Sequence, residues 1–295
     1  MKISKIYIVV FLGLTMIYSC QDVIELETPE GETQLVIEGW LNNNQEEQII
    51  KIRETLPYFD NVATPEVSGA IVTVTHENGT IFNFVDQGNG NYIYDAISSP
   101  IADIGEELTL NIDVNGKQLT AFSAMHRAPV IDSITQEDKD NGFEQGIYCN
   151  FFSRDFLGVG DTYWIKTYKN NDYLSDPLNL NIAYDAGFSP VAPADNLIFI
   201  PPIRETMNPV DREIDSLDQS PWDPGDLCRV EIHSMNNEAF FFMESVRDQL
   251  LNSLNTIFAE PITNTPSNII NLTDDDEVLG IFSAGAISTL EITIE

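Results

Sequence analysis

The chain reads as mainly β: an N-terminal β-sandwich followed by a second β-rich domain with one packed α-helix. Three observations carry this reading. From about Thr33 to Arg127, apolar and polar residues alternate at period two, the pattern of strands buried on one face. Asn-Gly pairs separate several of these runs, and that dipeptide is the strongest short-range signal for a hairpin. Only one stretch, near Phe240, repeats its apolar positions at helical spacing.

The chain begins differently. Lys2 and Lys5 give a basic start, Ile6 to Tyr18 is an apolar run, and Ser19 precedes Cys20. The run has the length of a secretory h-region and falls short of the about 20 residues that a membrane-spanning helix needs. An h-region ending at small-residue–Cys resembles a bacterial lipoprotein signal. Residues 1–19 are then a leader, and Cys20 becomes the lipidated first residue of the mature protein. Asp22, Glu25 and Glu27 make residues 20–32 an acidic tether.

The sandwich is expected over residues 33–128. Leu35, Ile37 and Gly39 alternate with Val36, Glu38 and Trp40, and Ala70, Val72 and Val74 with Ile71, Thr73 and Thr75. Leu108, Leu110, Ile112 and Val114 alternate with Thr109, Asn111 and Asp113. Asn78-Gly79 and Asn115-Gly116 fall between such runs and predict tight turns with positive φ at both central residues. Gly88-Asn89-Gly90-Asn91 leads into a further strand, Tyr92 to Asp95.

Ala128-Pro129 breaks the pattern and marks the expected boundary. The second domain is expected over residues 129–295, with strands at Val130 to Thr135, Ile147 to Phe152, Thr162 to Tyr168 and Cys228 to His233. Residues 170–225 are rich in Pro, Asp and Asn with weak periodicity, and predict a long loop. A helix is expected over 236–251. Asn236 or Asn237 caps it, and Phe240, Met243 and Leu250 lie on one face. The chain ends in a strand, with Leu290, Ile292 and Ile294 alternating with Glu291 and Thr293.

Charge restricts function. The formal net charge of -33 repels a phosphate backbone, so no nucleic-acid partner is expected. His76, His126 and His233 lie in no metal-ligand spacing. No nucleophile elbow or phosphate loop occurs. The acidic runs Asp274 to Glu277 and Glu137 to Gly142 lack the alternate-position oxygens of an EF-hand and read as solvated turns. The expectation is a non-enzyme with no cofactor and no metal. With Cys20 assigned to lipid, Cys149 and Cys228 remain. Two states fit them, a disulfide across strands or two buried free thiols.

Several stretches, taken in order, resemble the outer-membrane lipoproteins of Bacteroidota grouped as domain-of-unknown-function family 4249. They are Leu35-Val36-Ile37-Glu38-Gly39, Leu56-Pro57-Tyr58-Phe59, Val67-Ser68-Gly69-Ala70-Ile71-Val72-Thr73-Val74 and Gly88-Asn89-Gly90-Asn91-Tyr92. Pro266-Ser267-Asn268-Ile269 and Val278-Leu279-Gly280-Ile281-Phe282-Ser283 follow. The first domain also resembles carboxypeptidase-regulatory-like (transthyretin-like) sandwiches. The resemblance implies a lipoprotein of the outer membrane, facing the cell surface. It further implies an accessory or binding role beside a TonB-dependent β-barrel receptor in nutrient uptake. It supplies no catalytic residues. Surface adhesion is the competing role, and a hydrolase with an unrecognised carboxylate site is the third.

Aromatics in loops are the natural binding candidates, with packing into the core beneath a loop as the competing reading: Tyr58 and Phe59 in the first domain, Tyr173 and Trp222 in the second. The triplets at Asp132-Ser133-Ile134 and Asp215-Ser216-Leu217 resemble the O-glycan acceptor of exported Bacteroidota proteins, which makes Ser133 and Ser216 candidate glycan sites.

Overall fold

Alternation does build the first half of the molecule. The computed structural model describes residues 33–57, 62–140, 145–192, 194–210, 221–252 and 263–295. Cys20, Tyr58, Phe59 and Ser216 lie outside the described residues. Strands β1 (Leu35–Asn42) and β2 (Glu47–Glu54) are followed by β3 (Ile71–His76), β4 (Ile81–Asp86) and β5 (Asn91–Asp95). Next come β6 (Glu107–Val114) and β7 (Lys117–His126). Their inward residues, among them Ile37, Ile50, Val74, Leu110 and Met125, form one apolar core.

The two Asn-Gly turns singled out in the sequence differ from each other in detail. Asn115 and Gly116 both take positive φ (52° and 81°), the type I′ geometry, and Val114 pairs directly with Lys117. At Asn78-Gly79 only the glycine does (φ 89°). There the Gly79 N–H donates to His76 O at 2.8 Å and the His76 N–H to Thr80 O at 2.9 Å. That is a type I turn closed by a glycine bulge, so Asn78 keeps an ordinary conformation. A Cβ at Gly79 would meet nothing within 4 Å. Gly79→Val should therefore cost only the backbone strain, about 1–2 kcal/mol. Denaturant unfolding checks this, and unchanged stability would contradict the turn.

The expected boundary after residue 128 does not separate the two halves of the chain. Strand β7 leads into β8 (Ile131–Asp140), β9 (Gln145–Ser153), β10 (Thr162–Lys169), β11 (Asp172–Tyr173) and β12 (Asn181–Tyr184). Helix α1 (Pro201–Glu205), β13 (Leu227–Met235) and helix α2 (Asn237–Asn252) follow. The chain then returns through β14 (Ile270–Asn271) and β15 (Leu279–Gly285) before β16 (Ile287–Thr293). Among the described residues the first sheet runs β14-β7-β15-β1-β2-β5-β4-β3-β6, and β6 also pairs with β7. Strand β15 thus closes the sandwich into a ring, lying parallel to β1 (Ile37 opposite Gly280) and to β7. Residues 33–295 pack as one unit.

Several of the stretches that carry the family resemblance meet in this ring. Leu35 to Gly39 is β1 and Leu279 to Ser283 is its neighbour β15. Asn268 hydrogen-bonds Phe282 twice through its side chain, at 2.8 and 2.9 Å, and so stands in for a strand partner. Tyr92, fully buried, donates to Val67 O at 3.0 Å and accepts from the Ala70 N–H at 3.1 Å.

The second sheet has the path β11-β10-β13-β16, with β12 also pairing to β10. The β8–β9 ribbon covers one of its faces over a second apolar core. Residues 170–225 are not a plain loop. They contain β11, a 3-10 turn (Pro177–Asn179), the wholly buried β12 and α1. Their polar residues hid this, because buried asparagines here satisfy irregular backbone. Asn179 donates to Thr206 O and Asn208 O, and Asn181 donates to Ile203 O. Asn208 accepts from the Cys149 N–H at 2.7 Å and donates to Cys149 O at 3.0 Å. Helix α2 starts where expected: Asn236 Oδ1 accepts from the Ala239 N–H at 2.9 Å. Ala239, Phe240 and Met243 are buried, whereas Leu250 is 41% exposed, so only the first turns pack.

Candidate functional site

Strands β10 and β13 each present a second face. On β10, Tyr163, Ile165 and Thr167 are buried, while Trp164, Lys166 and Tyr168 point the other way and are half-buried. The register sets Trp164 opposite His233, Lys166 opposite Glu231 and Tyr168 opposite Arg229. Six large polar or aromatic side chains therefore share one patch. The outward face of β1 meets it through Trp40, whose ring lies 5.4 Å from that of Trp164, edge to face. Beside this pair is a cleft of about 120 Å³, lined by Trp40, Asn42, Trp164, Lys166, His233 and Ser283 among others.

Cations of this patch sit on rings. Lys166 Nζ lies 3.9 Å above Trp164, and the Arg229 guanidinium 4.2 Å from the Tyr168 ring; both are cation–π geometries. Glu231 binds Arg229 at 3.1 Å and His233 at 2.8 Å, and Glu38 binds Lys51 at 3.2 Å. Burial pushes the Lys166 amine down to about 8, although Glu231 and Glu38 oppose the shift. Burial also lowers His233, which holds it neutral at pH 7, against the pull of Glu231. For Glu231, burial acts upward, but His233 and Arg229 outweigh it and hold the carboxyl below its usual range.

Of the aromatics singled out in the sequence, Tyr173 joins this site. It pairs across from Tyr168, with ring centres 5.5 Å apart. Its hydroxyl lies alongside Trp164 Nε1 without reaching a well-formed hydrogen bond. Trp222 does not join it. It is 2% exposed in the second core and donates through Nε1 to Asn208 Oδ1 at 3.1 Å. That burial corrects the expectation of an exposed binding aromatic. Trp222 bridges to Ile147 of the ribbon and the neighbouring Asp223 and Asp226 bind Lys169 of β10, so a stretch with the composition of a solvated loop is tied down on both sides. Ser133 is half-buried within β8.

Cys149 and Cys228 are both buried and free, in the same core. A thiol–thiol hydrogen bond and burial raise the Cys228 pKa. Of the histidines, His76 is buried and holds Glu106 at 2.9 Å. Asp274 is bound by Lys117 at 3.2 Å, and Asp276 by the same amine. Among the described residues no three His, Cys, Asp or Glu side chains converge as a metal site.

Trp40, Trp164, Lys166, Tyr168, Arg229, Glu231 and His233 were not picked out as a site by sequence reasoning. Their signal was present: Trp-x-Lys-x-Tyr and Arg-x-Glu-x-His place three functional side chains on one face of each strand. A comparison with curated proteins finds no match. The family described as domain of unknown function (DUF4249) matches residues 21–291, and the chain belongs to that family.

Proposed function

We propose that the protein is a non-enzymatic, lipid-anchored lipoprotein of a Bacteroidota outer membrane, facing the cell surface. It serves as the binding or accessory subunit of a TonB-dependent β-barrel receptor for nutrient uptake. The observation that carries the reading is the aromatic cleft at Trp40 and Trp164, reached from the surface and lined by rings and donors, the usual make-up of a small-ligand site. The leader ending at Cys20 supports the anchor. The outer face of the sandwich offers the partner a contact. Ile49 (37% exposed) and Val85 (62%) flank Ile93 in register, with Ile71 (67%) on the strand beyond. Exposed apolar rows of this kind mark interaction surfaces.

The raised acids give no support to a hydrolase. Burial lifts Asp155 to about 6, but its oxygens accept from Tyr163 at 2.6 Å and from the Asn196 N–H at 3.2 Å. Asp185 accepts from the Gly160 and Asp161 N–H groups. Both brace loops outside the cleft.

Two measurements test the proposal. Affinity purification from solubilised outer membrane should bring a β-barrel protein along. Cys20→Ala should move the protein from the membrane to the soluble fraction, since no helix among the described residues is long and apolar enough to cross a membrane. A variant that stays membrane-bound without a partner would sink the lipid-anchor reading.

A further inference from the structure

Among the described residues, Lys166 is the cation lining the cleft that has no counter-ion. Its nearest acids are engaged elsewhere: Glu231 with Arg229 and His233, Glu38 with Lys51. An ammonium carries three N–H donors. Among the described residues, none of the three meets an acceptor; the contact the amine makes is with the Trp164 ring. Yet it lies opposite Glu231 in the strand register, so an ion pair was within reach of the backbone and is not formed. The amine instead turns into a cleft walled by two indoles.

We propose that this cleft binds a small carboxylate-bearing ligand, the carboxylate on Lys166 Nζ and an apolar or ring-shaped body against the wall that Trp40 and Trp164 form together. The inference rests on the cleft being the ligand site. Size and charge select the class. About 120 Å³ is room for roughly eight waters at about 15 Å³ each, enough for one small ring. A monoanion suits one ammonium. A phosphate dianion would meet stronger repulsion from Glu231 and Glu38, and the guanidinium of this patch, Arg229, is already held by Glu231. The indole faces supply apolar walls and weak attraction for C–H-rich rings.

The charge of Lys166 sets a pH signature. The groups that face it are Glu38 and Lys51 on the first sheet and Glu231, His233 and Arg229 on β13, with Glu46 acting on His233. With burial holding the free amine near 8, it is charged below that pH and neutral above it. Carboxylate affinity should be full below pH 7 and decline above 8, displaced somewhat upward because the bound anion favours the charged amine.

The test titrates the full chain in detergent with glucuronate and benzoate at millimolar concentrations. Glucose and benzyl alcohol serve as neutral counterparts, and tryptophan fluorescence and calorimetry as readouts. At least one acid should bind tenfold or more tightly than its neutral counterpart. Lys166→Gln should lose that preference at pH 7, and Lys166→Arg should keep binding while losing the decline above pH 8. Melting temperatures of the variants check folding. Acids that bind no better than the alcohols, or not at all, overturn the carboxylate assignment. If acids and alcohols bind alike and Trp164→Ala abolishes both, the cleft survives as the ligand site and only the carboxylate falls. A Lys166 that merely caps Trp164 would change melting temperature on mutation and leave no acid preference to lose.

Discussion

Trp222→Ala should cost about 3–5 kcal/mol of stability, the range for deleting a buried aromatic, and lower the melting temperature by roughly 6–12 °C or more for a chain of this size. The indole is the largest fully buried side chain among the described residues. It lies in the core between the β8–β9 ribbon and the second sheet, with Cys149, Phe151 and Cys228 in the same cluster. Its backbone N–H donates to Ile147 O at 2.8 Å and its side chain to Asn208 Oδ1 at 3.1 Å. Truncation leaves a cavity and removes one donor from an asparagine that organises α1 and β9. Trp222→Phe should cost less, since it refills most of the volume. Chemical denaturation measures both. Wild-type stability for the alanine variant would mean that the residue is not core.

Gly280→Ala should be at least as damaging, about 3 kcal/mol or more, and should show as loss of the cooperative unfolding transition or of soluble protein. Gly280 has φ 112°, a conformation that L side chains rarely adopt. A Cβ there would lie 1.8 Å from Ile37 O, a backbone atom of the neighbouring strand that cannot move without parting β1 from β15. Gly39→Ala is the informative contrast. Its Cβ would come to 3.0 Å of the Phe282 side chain, which has rotamer freedom, so a smaller cost is expected. Equal stabilities for the two variants would contradict the tight parallel pairing.

These cases mark how far the amino-acid pattern reaches. Period-two alternation was enough to place β1, β3, β6 and β16 and to say which residues of β1 and β6 face a core, because a strand wet on one face must alternate. The Asn236 cap and the spacing of Phe240 and Met243 were enough for α2. The family resemblance was legible in short stretches of residues, and most of them are places where one segment of the ring holds another.

Other features were decided by tertiary packing alone. Alternation names a strand's buried face but not its neighbour. Nothing local to Leu279–Gly285 announces that it inserts between β1 and β7, which are distant in sequence. The boundary after Ala128 looked like a domain break because the pattern changed, yet the sandwich closes with residues from the far end of the chain. Residues 170–225 looked like a loop because asparagines that cap buried backbone have the composition of solvated turns, and only their partners distinguish the two. The candidate site follows the same logic. Trp164, Lys166 and Tyr168 share a face in any strand, but a sheet covered on both sides has no polar face by which to recognise the outside. Which face becomes the core depends on where the β8–β9 ribbon settles, and which becomes the cleft on where Trp40 meets it across the first sheet.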